Sequence, residues 1–381
     1  MEESKSYRMG DLFTLEYGKP VDDKDSLDGP VPVFGTNGQI GTSHLAPLCG
    51  HPSVILGRKG AYRGVHYSEE PFSVIDTAFY IEPISDVFDI KWLYYKLLTY
   101  DINSMDSGSA IPSTDRYQIY SLPIEVPPIS IQKQIVRVLD SLNDKIDLNN
   151  RINHNLEEQA QALYKSWFVD FEPFKGNGFA DSGLGLIPKG WEVIPLKQIV
   201  EYRKKSVNPQ KSPDTWFSHY SLPAFDNSKK PEIQKGADIM SNKLLLEGKT
   251  VLFSKLNPRI KRIWPIEVTT INSVCSTEFI AFKAKDEALH PFVWCYLNAD
   301  SFYDKVMSGV NGATGSHQRF HADDTLDYVI PFNLDAAISF SDRIAPLLQS
   351  ILKNEKENRV LRIKRDTLLP KLMSGELKMI R

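Results

Sequence analysis

Only three of the 381 residues are cysteine, Cys49, Cys275 and Cys295, and no two of them stand at metal-ligand spacing. That excludes a cysteine-built zinc module and a disulfide scaffold, and it points to reduced thiols in a cytoplasmic protein. No apolar run approaches the roughly 20 residues that span a bilayer, so no membrane-spanning helix is expected. The N-terminus MEESKSYRMGDLF carries acidic residues where a secretory signal would have a basic and then an apolar region. A net basic charge is missing too: the chain sums to −3, with 45 Lys and Arg against 48 Asp and Glu. Any contact with nucleic acid must therefore rest on local clusters or on partners.

The charge is unevenly spread. Residues 1–128 hold 10 Lys and Arg against 18 Asp and Glu, a net of −8, whereas residues 331–381 hold 10 against 6, a net of +4. Catalytic signatures are also wanting. Methylation of an exocyclic amine would call for an Asp/Asn-Pro-Pro-aromatic motif and a glycine-rich cofactor loop. Here Asn257-Pro258 runs into Arg259, and Pro127-Pro128 lacks the preceding amide. A nuclease pattern from Pro213-Asp214 and Glu247-Gly248-Lys249 is short enough to arise by chance. His317 and His321 lack the glutamate of a zinc-protease helix, and Gly309, Gly312 and Gly315 have neither the spacing nor the lysine of a phosphate-cradling loop. No catalytic residue, cofactor or metal is expected.

What is present is one unit written twice, displaced by about 200 residues. Ser53 to Leu56 is an apolar run leading into Arg58, Lys59 and Arg63, and Thr250 to Phe253 leads likewise into Lys255, Arg259, Lys261 and Arg262. VIDTAFYIEP (74–83) answers SVCSTEFIAF (273–282), and WLYYKLL (92–98) answers FVWCYLN (292–298). These read as strands and short aromatic helices. A Gly/Ser loop follows each, SGSAIPSTDRY (107–117) and NGATGSHQRF (311–320), and then an apolar strand ending at proline.

After each proline the chain turns long and helical in period. From Ser130 to about Val169 the stripe is Ile135, Leu139, Leu142, Ile146, Ile152, Leu156, Leu163 and Trp167; from about Asp335 to Met373 it is Ile344, Leu347, Ile351, Leu361, Leu368 and Leu372. Asn149 and Asn358 fall on the seams, where a polar residue fixes register at a cost in stability. The two helices are expected to pair with each other, and Pro346 to kink the second or delay its start. At about 1.5 Å per residue each is roughly 60 Å long, far more than a small core needs. The expected organisation is a globular domain over 1–128, a first long helix over 129–172, a Gly/Pro-rich linker over 173–190, a second globular domain over 191–332, and a second long helix with the tail over 333–381.

The segments VFGTNGQIG (33–41), GRKGAYRG (57–64), NLEEQAQALYKSWFVDFEPF (155–174), LIPKGWEVIPLKQI (186–199), LFSKLNPRIKRIW (252–264) and TLLPKLMSGEL (367–377) resemble the specificity subunits of bacterial type I restriction-modification systems. The resemblance runs over nearly the whole chain. It implies an α/β fold: two globular mixed α/β target-recognition domains separated by two long antiparallel helices, with an internal pseudo-twofold repeat. It also implies a noncatalytic subunit that reads a bipartite, asymmetric sequence in double-stranded DNA. Two methyltransferase subunits would dock on it, with or without two restriction subunits. The alternative reading is a helical scaffold that joins protein partners without touching DNA.

Under the resemblance, Arg58, Lys59, Tyr62 and Arg63 in the first unit are expected to contact DNA, as are Lys255, Asn257, Arg259, Lys261 and Arg262 in the second. Three cations and an aromatic among glycines let backbone approach phosphate, and Asn257 has the bidentate geometry for adenine. Ser109, Ser113, Thr114 and Arg116, with Ser316, His317 and Arg319, are candidates to donate to phosphate. Lys204 and Lys205 form a short basic cluster, and Tyr202, Trp216, His219 and Tyr220 are candidates to line a groove. As plain structure the same residues are solvated turns, helix-to-strand connections and core aromatics.

Overall fold

The computed structural model describes residues 4–26, 28–105, 112–309, 320 and 322–377. The chain divides into two compact units, one formed by Met1–Lys145 with Leu361–Arg381 and the other by Ile146–Val360.

In the first unit the strands are β1 (Lys5–Arg8), β2 (Phe13–Tyr17), β3 (Val31–Gly35), β4 (Gly38–Ser43), β5 (Ser53–Gly57), β6 (Val65–Ser68), β7 (Ser73–Val74) and β8 (Ala78–Pro83). Helix α1 (Ile90–Leu97), the short α2 (Arg116–Ser121) and strand β9 (Pro123–Val126) follow, and then the long α3 (Ile129–Phe168). The central sheet is antiparallel in the order β2-β8-β5-β6, β3 lies between β4 and β7 in a second sheet, and β1 pairs with β9. The all-apolar run of β5 is explained by burial on both faces. Val54 and Leu56 point into a core with Phe79, Ile81, Trp92 and Leu93, while Ile55 points the other way, toward Phe34, Phe72 and Val74. The first of these cores is closed by Ile135 and Leu139 of α3 and by Leu372 and Met373 near the C-terminus.

The second unit repeats this plan. Its strands are β10 (Phe179–Ser182), β11 (Gly185–Pro188), β12 (Glu192–Pro195), β13 (Val200–Tyr202), β14 (Ser206–Val207) and β15 (Trp216–Tyr220), then, after helix α4 (Leu222–Ser228), β16 (Glu232–Lys235), β17 (Lys243–Leu245), β18 (Gly248–Ser254), β19 (Ile263–Val268), β20 (Ser273–Cys275) and β21 (Phe279–Ala284). Helices α5 (His290–Asn298) and α6 (Asp300–Ser308), strand β22 (Val329–Phe332) and the long α7 (Leu334–Ser374) complete the chain. The order β13-β21-β18-β19 matches β2-β8-β5-β6, and β12-β22 matches β1-β9. The parallel pair β3/β7, with Val33 opposite Ser73, recurs as β15/β20, with Ser218 opposite Ser273. Val251 and Phe253 face one core and Leu252 the other, the same alternation as in β5.

Several details depart from the sequence reading. Helix α7 begins at Leu334 and runs unbroken through Pro346, so the proline does not delay its start. Ile152 and Leu163 of the first stripe are exposed, and the buried positions past Asn149 are Asn153, Ala160, Tyr164 and Phe168. Two seam positions are therefore polar, because α3 faces the partner helix there through amides. Asn149 donates to Asn358 at 2.9 Å, and Asn354 donates to Asn153 at 2.8 Å, in antiparallel register. The Gly/Pro-rich stretch read as a linker is a folded part of the second unit. Its β10/β11 hairpin is anchored by Phe171, Ile187 and Trp191, which join the core of Tyr164 and Phe168.

Candidate nucleic-acid interface

The basic loop of the first unit, Gly57 to Gly64, closes between β5 and β6 by a bond from Gly57 N to Gly64 O at 2.8 Å. Its shape is set by backbone contacts that only small residues permit. A Cβ on Gly57 would stand 2.8 Å from both Arg63 Cα and Thr36 O, and Gly60 has a φ of +118°, which favours glycine. The Thr36 hydroxyl lies within 2.8 Å of both the Lys59 and Thr77 carbonyls, and Thr77 O accepts from the Arg58 N–H at 2.8 Å. The segment before α2 lies on the same loop: Gly60 N donates to Pro112 O, and Thr114 N donates to Arg58 O. Residues far apart in sequence are thus brought to one place.

Arg58, Lys59, Tyr62 and Arg116 gather there. The Arg58 guanidinium stands 4.8 Å from the Tyr17 ring centroid and donates to the Asp76 carbonyl at 2.9 Å. Arg116 stands 5.1 Å from the rings of both Tyr17 and Tyr117, and its hydrogen bond to the Tyr117 hydroxyl raises its pKa further. Lys59 pairs with the Asp76 carboxylate at 2.9 Å, which holds that carboxyl below the usual range. Ser113 forms a β-bridge with Lys59.

Two expected contacts are instead structural. Arg63 is only 2% exposed, and its guanidinium donates to the Asn103 carbonyl at 2.7 Å and the Gly60 carbonyl at 3.3 Å. Thr114 is buried, with its hydroxyl donating to Gly57 O at 2.9 Å. Both hold the loop from within, since a buried donor must find an acceptor. Tyr17, Tyr117, Thr36 and Asp76 were not singled out from the sequence. Tyr17 ends β2, Tyr117 lies in α2, and Thr36 and Asp76 lie in separate turns, so no spacing connects them.

In the second unit the loop from Ser254 to Arg262 closes in the same way, Ser254 N donating to Arg262 O at 3.1 Å, and Lys255 N donates to Glu278 O at 2.8 Å as Arg58 N does to Thr77 O. Asn257 takes the left-handed turn, with φ of 48°. Much of the charge is already committed. Arg262 forms a bidentate pair with Asp226 at 2.7 and 2.9 Å, and Lys261 donates to the Asn298 carbonyl and lies 5.7 Å from the Tyr303 ring. Desolvation lowers the Lys261 pKa. Lys255 and Asn257 are half-buried in the loop, and Arg259 is exposed.

Lys204 is paired with Asp323 at 2.9 Å beside Tyr202, whose hydroxyl donates to the same carboxylate; the neighbouring Lys205 is exposed. His219 is half-buried against Gln234 at 2.8 Å, and burial lowers its pKa. Tyr220 is 9% exposed and packs on Trp264 at 5.0 Å, which makes it core rather than groove. Trp216, by contrast, is exposed, with Lys235 over its ring at 5.7 Å. Ser109, Ser316, His317 and Arg319 lie outside the described residues.

Residues 1–158 match the family model for the type I restriction modification DNA specificity domain. The chain is 29% identical over 310 residues to the type I restriction enzyme MjaIX specificity subunit of Methanocaldococcus jannaschii, covering 76% of this chain and 69% of that protein. It is 22% identical over 381 residues to the HindI specificity subunit of Haemophilus influenzae, covering 80% and 81%. The fold is similar to that of a type I restriction-modification S subunit from M. genitalium, with a TM-score of 0.61 and 16% identity over 99% of this chain and 97% of that one. Among the described residues no helix is long and apolar enough to cross a membrane. With the duplicated sheet plan, the long helices and these matches taken together, residues 1–158 carry a type I restriction modification DNA specificity domain, and the chain as a whole is similar to the specificity subunits of type I restriction-modification systems.

Proposed function

We propose that this chain reads a bipartite, asymmetric sequence in double-stranded DNA, one half with each unit, and that it docks two adenine methyltransferase subunits without performing chemistry itself. The observation that carries the reading is the duplication: one sheet plan occurs twice, each time with a glycine- or asparagine-shaped basic loop at the same topological place. The loops differ in length and in the set of side chains they carry, Arg58, Lys59 and Tyr62 against Lys255, Asn257 and Arg259, which supports two different half-sites. A twofold repeat of the body also offers a single kind of partner two nearly equivalent surfaces, which supports two methyltransferases per chain. An adenine-methylating partner extrudes its target base, which requires duplex held firmly nearby.

Lysines of these loops contact phosphate, and the arginines and Asn257 are the candidates for base edges. Co-expression with the methyltransferase of the same host, followed by determination of complex mass and by methylation mapping, tests the reading. The expected result is two methyltransferases per chain and methyladenine in one split sequence. In that complex Arg58→Ala weakens one half-site and Arg259→Ala the other. A chain that binds no methyltransferase, or whose deletion leaves the methylation pattern unchanged, overturns the proposal.

A further inference from the structure

The first unit is acidic, and a surface arginine in such a setting, here the half-buried Arg58 and Arg116, has carboxylates within reach to close on. Residues 1–128 hold 18 Asp and Glu, yet among the described residues neither Arg58 nor Arg116 forms an ion pair. Both guanidinium groups rest on aromatic faces. Arg58 lies 4.8 Å from the Tyr17 ring and 5.8 Å from Phe79, and Arg116 lies 5.1 Å from Tyr17 and from Tyr117. The rings are anchored in turn. Tyr17 meets the buried Phe79 edge-on at 4.9 Å, and Tyr117 meets Tyr120, whose hydroxyl accepts from Leu15 N at 2.7 Å. Tyr17, Tyr62 and Tyr117 are 44%, 67% and 66% exposed, an unusual density of open aromatic surface for one corner of a domain. The second unit is built differently nearby: Lys204, 4.6 Å from the Tyr202 ring, is closed off by Asp323.

A guanidinium stacked on a ring keeps its in-plane N–H groups pointing outward and gives up rotamer freedom before any ligand arrives. Two of them on one shared ring have a fixed mutual spacing. We propose that Tyr17 is a positioning residue for DNA recognition. It presents Arg58 and Arg116 as a preset pair of forks to planar, bidentate acceptors on the duplex, which are guanine edges in the major groove or phosphate oxygens. The ring itself touches no base; it acts through the two arginines. This inference rests on the reading of the chain as a DNA-recognition subunit.

The test uses the full chain in complex with its methyltransferase and a mapped wild-type target. Tyr17→Ala leaves the charge intact, so the salt dependence of binding holds while affinity for the cognate duplex falls by about tenfold. Tyr17→Phe keeps the ring and restores wild-type binding. Arg116→Ala separates the two acceptors. A loss confined to one base pair of one half-site identifies a guanine edge. A uniform loss with the slope of log K against log salt reduced by about 0.9 identifies phosphate. Preference at the other half-site and methyltransferase stoichiometry stay unchanged in all three variants. If the wild-type complex methylates a split target but Tyr17→Ala and Arg116→Ala both bind and methylate as it does, the positioning role is overturned while DNA recognition stands. If Tyr17→Phe is as weak as Tyr17→Ala, stacking is not the cause and the proposal fails. If the wild-type complex shows no sequence preference, the underlying reading fails instead.

Discussion

Replacing Asn149 and Asn358 together by leucine is expected to make the chain more stable, although either replacement alone brings little. The Asn149 side-chain amide donates to Asn358 Oδ1 and to Glu357 Oε2, each at 2.9 Å, and Asn358 donates to Asn150 Oδ1 at 2.9 Å. Both asparagines are buried, and Asn149 Oδ1 has no hydrogen-bond partner among the described residues. Removing three hydrogen bonds costs about 3 kcal/mol at a net value of about 1 kcal/mol each. Burying two leucines contributes roughly 3–6 kcal/mol, and removal of the unpaired carbonyl oxygen adds to that. The double variant should therefore gain about 2 kcal/mol. Asn149→Leu alone strands Asn358 Oδ1, a penalty of about 1–3 kcal/mol that cancels the burial gain. Urea unfolding of the four proteins, followed by far-UV ellipticity, completes the cycle. A double variant less stable than the parent, with single effects that sum within about 0.5 kcal/mol, would refute the reasoning. The gain comes with loss of the polar pair that fixes helix register.

Two further predictions concern charge inside the second unit. Burial, with Lys249 nearby, pushes the pKa of His290 down to about 4 from 6.5. Because the folded value is depressed, the stability it confers is present above about pH 6.5 and is lost as pH falls toward 4. The loss amounts to about 3 kcal/mol at about 1.4 kcal/mol per unit. His290→Gln should flatten that part of the stability-versus-pH curve, and an unchanged slope in the variant would count against it. Lys229 stands 3.6 Å from Glu355 and 4.0 Å from Glu157, tying the end of α4 to both long helices, while Arg359 donates to its carbonyl at 3.5 Å. The Glu355 side chain is largely buried, and burial raises its pKa despite the lysine. Lys229→Met leaves that carboxylate with only the Arg359 charge to offset its burial and should destabilise the unit by about 2 kcal/mol at pH 7.5. A raised acid pKa penalises the fold as pH rises through it, so part of the loss should be recovered toward pH 5. Thermal melts at the two pH values check this, and equal losses at both would contradict it.

The repeat, the long helices and the basic loops were legible in the sequence because each is a local pattern. A strand buried on both faces shows as an unbroken apolar run, as in Val54 to Leu56 and Val251 to Phe253, and a long helix as a sustained 3.6 period. The polar seam was legible at Asn149 and Asn358, where the period requires an apolar residue. It was missed at Asn153, because Ile152 next to it offered a better match to the stripe. The Gly/Pro-rich stretch before Trp191 was read as a linker because turn residues mark hairpins and loose connections alike. Only the burial of Phe171, Ile187 and Trp191 distinguishes the two.

For the loops themselves, the sequence by itself determined where cations cluster; which of them remain at the surface was decided by tertiary structure. Arg63, Lys261 and Arg262 look like Arg58 and Arg259 in the chain, yet the first donates inward to Asn103, the second to Asn298, and the third pairs with Asp226. Their partners lie in other elements, tens of residues away, and a guanidinium or ammonium group takes whichever acceptor the fold places within reach. Tyr17 is the converse case. Nothing in FTLEYGK marks the ring as functional until β2, the 57–64 loop and α2 converge on it and bring two arginines to within about 5 Å of its centroid. Periodicity and composition are properties of neighbours in sequence, and the fold is written in them. The chemistry of the surface depends on which long, flexible cations find a partner in space, which is settled only when the chain is folded.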